Sequence, residues 1–188
     1  MLDNLKESLK VKRAEMRENW NRTLPTSELF FDRWEKAEFL GFGKGSSVYD
    51  SCVVLGDVVV GENVWIGPHT ILDGSGGSLK IGNFCDISAG VHIYTHDTVR
   101  RALSSGEEGI ETASTEIGDN CHIGANSVVL KGVNIGHHSV VGAGCVVTKS
   151  FPPYSIILGV PSRRVGEVKV ESGKPVEFVY EKDSHSSD

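Results

Sequence analysis

The chain has no surplus of positive charge, few aromatic residues, no closely spaced cysteine pair and no long apolar run. Its formal net charge is −6, which argues against a general nucleic-acid binder, because such a protein needs a basic face to meet phosphates. No apolar stretch approaches the length of a membrane span. The opening MLDNLKESLKVKR is charged throughout and has no signal-peptide core, so a cytoplasmic protein is expected. Aromatic content of 7% beside 22 glycines suits a repetitive β structure better than a helical bundle. Cys52, Cys85, Cys121 and Cys145 include no C-x-x-C spacing, so neither a disulfide framework nor a metal site is expected of them. At 188 residues the length fits one domain with appendages.

What the chain does have is a period of six. From Ile117 to Pro152 it reads IGDNCH, IGANSV, VLKGVN, IGHHSV, VGAGCV, VTKSFP, with a branched apolar residue leading each hexad. Four places after each lead comes a second inward candidate: Cys121, Ser127, Val133, Ser139, Cys145 and Phe151. A helix would repeat at 3.6 and a plain strand at two, whereas six fits a short strand plus a turn coiled repeatedly. Earlier hexads lead with Phe42, Val48, Val54, Val60, Ile66 and Leu72, then with Ile81, Ile87 and Ile93. All four cysteines fall in the second inward slot, where a buried thiol acts as a small hydrophobe.

A longer period lies inside the six. In groups of three hexads, the residue after the first lead is always glycine: Gly43, Gly61, Gly82, Gly118, Gly136. After the third lead it never is: Leu55, Asp73, Tyr94, Leu130, Thr148. The expected fold is therefore an all-β solenoid, a parallel β-helix of about five 18-residue coils, roughly 24 Å long at the usual strand spacing. Both interruptions, the Gly-rich DGSGGS after Leu72 and the long excursion after Ile93, fall in the third hexad. They should emerge from one edge, one coil apart, and loops held on a rigid scaffold are where chemistry concentrates.

Residues 1–41 are expected to form a helical cap over the first open coil. Leu2, Leu5, Leu9 and Met16 give a first helix one apolar side, and Pro25 breaks it. A second helix is expected to be capped by Thr26 or Ser27, with Leu29, Phe30, Trp34 and Phe39 as its stripe. Residues 42–153 make the solenoid, with a loop at 97–116, and residues 154–188 an extension. In that extension EVKVESGKPVEFVY reads as a hairpin across a Ser-Gly turn, and EKDSHSSD as a disordered tail.

The hexads, and above all VVGAGCVVTKSFPPYSIILGVPSRRVG, resemble those of the hexapeptide-repeat acyltransferases, with the maltose/galactoside-type and polysaccharide-locus sugar acetyltransferases the most similar. The resemblance covers about residues 42–166. It implies a left-handed β-helix, a homotrimer with sites between subunits, acetyl-CoA as co-substrate, a sugar or nucleotide-sugar acceptor in cell-surface polysaccharide synthesis, and a histidine general base.

Of the seven histidines, His96 is the candidate. His122, His137 and His138 sit at turn slots of regular hexads, and His69 and His92 belong to uninterrupted second-side hexads. His96 stands in IYTHDT, where the third side leaves for its excursion. Similar acetyltransferases carry the catalytic histidine there, many of them in T-G-H-P where this chain has Y-T-H-D. Acyl transfer to a hydroxyl or amine needs such a base, titrating near neutrality. Asp73 and Asp97 are candidate partners for the imidazole; the alternative is turn aspartates bonded to their own backbone. Tyr94 and Arg100 join them as acceptor-side candidates, Arg100 for a phosphorylated acceptor.

The family's CoA contacts fall on Ala125 and Ala143, on Thr148 and Lys149, and on Arg163; the cations would meet phosphates. Two departures stand out: Ala125 replaces a serine, and Gly166 an arginine. A zinc enzyme like the γ-class carbonic anhydrases, with His69, His92 and His96 offered as histidines meeting across the trimer cleft, is the rival reading. A non-catalytic scaffold is another.

Overall fold

The structure, a computed structural model, describes residues 2–181. The tail expected to be disordered, with His185, lies from residue 182 onward outside the described residues.

The six-residue leads become the core. Parallel strands pair lead with lead: Val54↔Leu72↔Ile93↔Val129↔Val147 on the third side. Val48↔Ile66↔Ile87↔Ile123↔Val141 pair in the same way on the second. On the first, Val60↔Ile81↔Ile117↔Ile135 continue to a bridge with Phe151. Ile66, Leu72, Ile87, Ile93, Ile123, Val129, Ile135, Val141 and Val147 are fully buried. The second side forms one sheet, and the first and third belong to another that bends between them.

The second inward slot favours small polar residues for a reason visible in its bonds. Ser46 Oγ donates to Gly61 O at 2.8 Å, and Ser127 Oγ to Gly142 O at 2.8 Å. Cys52 Sγ reaches Gly67 O at 2.9 Å. Each meets a backbone carbonyl of the next coil, so the buried polar atom is satisfied. All four thiols are buried and free. The glycine after each first-side lead is set by close approach. A Cβ on Gly118 would stand 2.6 Å from His137 N, so only glycine lets the coils stack.

The N-terminal segment departs from expectation. Helix α1 (Leu2–Trp20) buries no residue, and of its expected apolar side Leu9 and Met16 are only partly covered while Leu2 and Leu5 are exposed. In place of one second helix there is a 3₁₀ turn at Ser27–Leu29 and a helix α2 (Arg33–Phe39). Asp32, not Thr26 or Ser27, caps α2, accepting from Trp34 N at 2.8 Å and Glu35 N at 3.1 Å. A carboxylate at the N-cap satisfies two orphan donors at once. Glu28, Leu29 and Ala37 are the buried residues of these two elements, while Phe30, Trp34 and Phe39 are exposed. Lys36 ties α2 to the first coil, its Nζ 2.8 Å from Asp50 O and 3.2 Å from Tyr49 O.

At the other end, strand Ser155–Gly159 turns back antiparallel into Ser162–Lys169, which pairs with Glu177–Tyr180. The expected hairpin forms, with Gly173 in the left-handed region at its turn. Among the described residues no helix is long and apolar enough to cross a membrane.

Candidate functional site

The third-side edge carries both interruptions. Strand Ile71–Ile81 runs straight through DGSGGS beside Val53–Val60. Gly56↔Gly74 is followed by Val58↔Leu79, so one residue faces four. The long excursion opens as a two-residue antiparallel ladder, His96↔Thr112 and Asp97↔Glu111, with helix α3 (Val99–Leu103) beyond it. The two insertions touch: a Cβ on Gly76 would meet His96 Cβ at 2.5 Å.

Where the hexads break, threonine hydroxyls carry the bonding from coil to coil. Thr95 Oγ1 donates to Asp73 O at 2.8 Å and accepts from Gly76 N at 3.0 Å. Thr115 Oγ1 donates to Tyr94 O at 2.8 Å and accepts from Gly132 N at 3.1 Å. Both threonines are buried. They fix the backbone on either side of His96 as the regular ladder would have done.

His96 meets Asp73 across the gap of one coil. Its Nδ1 lies 3.6 Å from Asp73 Oδ2 and 3.4 Å from Ser75 Oγ. Ser75 donates its hydroxyl to Asp73 Oδ1, and its backbone N–H reaches the same oxygen at 3.0 Å. Asp73 therefore makes the local turn bond with one oxygen and faces the imidazole with the other. Its side chain is only 6% exposed against 28% for His96, so the carboxylate is sheltered and the ring is reachable. Among the described residues Nε2 has no hydrogen-bond partner.

Asp97 does something else. Its Oδ1 accepts from Val99 N at 3.1 Å, and its Oδ2 pairs with Lys131 Nζ at 2.8 Å. The Lys131 bond holds the Asp97 carboxyl below its ordinary pKa, and Asp97, then Glu111, hold the Lys131 ammonium above its own. Of the two candidate imidazole partners, the one that makes the contact is Asp73. Arg100 is occupied as well: its Nε lies 2.6 Å from Glu111 Oε1 and its Nη1 3.5 Å from Glu108 Oε2. The guanidinium expected to await a phosphate is held by its own loop. Tyr94 is half-buried, its hydroxyl 3.3 Å from His92 Nδ1.

The donor-side candidates divide into groups. Ala125 and Ala143 precede the third-side strands and stack, Gly144 N donating to Ala125 O at 2.8 Å. Thr148 and Lys149 follow Val146–Val147, at the opposite end of that side and on the edge of His96. Both are exposed, as is Arg163, which faces Leu158 across the antiparallel pair. The strip is one of small side chains flanked by cations that have no ion-pair partner among the described residues, Lys149 lying over the Phe151 ring at 5.8 Å. Within one chain, among the described residues, no three His, Cys, Asp or Glu side chains are grouped to hold a metal ion, His69, His92 and His96 included. A concavity of about 550 Å³ between α1 and residues 22–34 does not include His96.

Sequence reasoning missed Ser75 and Lys131. Ser75 has the two-residue spacing from Asp73 at which a turn aspartate bonds forward. Lys131 occupies the slot of Lys149 one coil earlier, two places after a third-side lead, so aligned hexads carry both signals.

Residues 115–149 match the family described as the hexapeptide repeat of succinyl-transferase. The galactoside O-acetyltransferase of Escherichia coli (strain K12) is 33% identical over 111 residues, which cover 59% of this chain and 44% of that protein. Over these residues the chain is similar to hexapeptide-repeat acetyltransferases. Its fold is shared with AntD, an N-acyltransferase from Bacillus cereus solved with dTDP and 3-hydroxybutyryl-CoA. The TM-score is 0.60 at 24% identity, covering 67% of this chain and 71% of that one. The acetyltransferase domain of PglB from Neisseria gonorrhoeae, solved with acetyl coenzyme A, gives a TM-score of 0.53 at 22% identity, covering 66% and 50%. Matches to the curated relatives span less than two thirds of their lengths, from 29% of one to 64% of another.

Proposed function

We propose that this chain is an acetyl-CoA-dependent acetyltransferase acting on a sugar hydroxyl or amine, with His96 as general base. The observation that carries the reading is the pairing of His96 Nδ1 with the sheltered Asp73 carboxylate, 3.6 Å away, at the edge where the repeat fails. A carboxylate beside Nδ1 keeps the proton on that nitrogen and leaves Nε2 as the acceptor. Nε2 takes the proton from the acceptor's O–H or N–H as that atom attacks the thioester carbonyl. The C–S bond breaks, and the imidazolium returns the proton to the departing sulfur. Asp73 and Ser75 hold the ring through the exchange.

On the donor side, Ala125 and Ala143 leave backbone open to the pantetheine amides, while Lys149 and Arg163, with Thr148 beside them, meet phosphates. Tyr94 lines the acceptor side. Asp97 and Arg100 act there through the loop rather than by direct contact. The coil order fits a left-handed β-helix of five coils over residues 42–153. Residues 1–41 cap its first coil and residues 154–181 extend it.

The His96 corner is open in a single chain, and apolar Val53, Leu55 and Leu130 are exposed on the third-side face. A homotrimer that brings this face against a neighbour would wall the site and cover that patch. A galactoside O-acetyltransferase among the relatives and an N-acyltransferase solved with a dTDP-linked amino sugar among the structural neighbours favour a sugar or nucleotide-linked sugar as acceptor. The place of that acceptor in cell-surface polysaccharide synthesis rests on the resemblance of the hexads alone.

Acetyl-CoA consumption against free sugars, nucleotide-linked amino sugars and polysaccharide repeat units, with product mass measured, tests the reading. A product heavier by one acetyl group supports it; tightly bound stoichiometric zinc with no CoA affinity would overturn it.

A further inference from the structure

The excursion that carries His96 begins with an electrostatic conflict. Asp97 and Glu111 stand directly opposite each other in a ladder of two residues per strand. Like charges in that position repel, and so short a ladder cannot hold itself closed. Lys131, from the corner of the next coil, resolves the conflict. Its Nζ lies 2.8 Å from Asp97 Oδ2 and 3.0 Å from Glu111 Oε2. Arg100 closes the set on the far oxygen of Glu111 at 2.6 Å. Lys131 itself is anchored: two residues before it Val129 is fully buried, and Gly132 N bonds Thr115 Oγ1.

We propose that Lys131 is a positioning residue for His96, its ammonium clamping the carboxylate pair Asp97–Glu111 and so fixing the strand that carries the base. The proposal rests on the reading of His96 as base for its effect on turnover, but not for its effect on the hairpin. Replacing Lys131 by Met keeps the alkyl stem but leaves Asp97 and Glu111 facing each other with their repulsion uncompensated.

The test is amide exchange over residues 96–97 and 111–113, with kcat and KM measured beside it, in the full chain and its variants. Lys131→Met should speed exchange of the ladder amides about tenfold or more and lower kcat more than it changes KM. Lys131→Arg should restore both. Adding Glu111→Gln to Lys131→Met should restore slow exchange, since the repelling pair is gone. Unchanged exchange in Lys131→Met overturns the clamp. If exchange speeds while His96→Ala turns over normally, the clamp stands and the assignment of the base falls. If His96→Ala is inactive and Lys131→Met leaves exchange unchanged, the clamp alone is wrong.

Discussion

Between Ile117 and Val147 the corners of the coil are closed mostly by backbone, with Thr115 Oγ1 on Gly132 N as a side-chain link. Asn120, Asn126, Gly132, His138 and Gly144 take left-handed φ values there, and amide-to-carbonyl bonds such as His138 N to Asp119 O and Gly144 N to Ala125 O link one coil to the next. Between Asp73 and Thr115 the third-side corner is closed by side chains instead: two buried threonine hydroxyls, Ser75 on Asp73, and Lys131 between Asp97 and Glu111. Backbone closure repeats and asks little of the side chains. Side-chain closure puts titratable groups in fixed places at the surface. The regular region is therefore where substitutions should damage the fold, and the irregular edge is where they should damage chemistry.

The largest expected effect breaks the regular side. Ile123 is fully buried, with partners in the coils before and after it. Ile123→Ala should lower unfolding stability by about 2–5 kcal/mol, read by chemical denaturation. Next, Asp73→Asn sharpens the irregular side. The amide can present an N–H to Nδ1 and impose the wrong tautomer, so turnover should fall by about 10²-fold or more with little change in stability. A loss of stability comparable to Ile123→Ala with turnover intact would erase the distinction between the two regions.

How much of this was legible in the sequence follows the same division. The leads, the inward cysteines and the glycine column repeat, so periodicity alone located them, down to the pairing of Val48 with Ile66 and of Ile123 with Val141. DGSGGS and the excursion after Ile93 were legible as breaks. What fills a break was not: bonds from Thr95 to Asp73 and from Lys131 to Asp97 join residues at separations that no repeat fixes. Arg100 and Asp97 illustrate the limit. Read alone, each looked available to a substrate; the fold gives each an opposite charge. At the N-terminus, Asp32 beat Thr26 and Ser27 as cap because a carboxylate there meets two N–H groups, and the aromatic stripe then faced outward.

A smaller effect concerns acid. Asp97 is held below its ordinary pKa, so what it lends the hairpin is full above the ordinary carboxylate value near 4 and is lost as pH falls through its own lower value. Lys131 is held above its ordinary pKa, so its share is full below about 10.4 and is lost only as pH rises through its raised value. The ladder amides should stay protected through neutral pH and lose protection first in acid, before the coils around Ile123 do. Amide exchange, corrected for intrinsic rates, reads the order directly, and added salt should weaken the clamp further.

The most direct test is His96→Ala, followed for fold, CoA binding and turnover on the same preparation. Unfolding midpoint and CoA affinity should match the parent, while turnover drops about 10²–10⁴-fold. Turnover within a few fold of the parent would contradict the account.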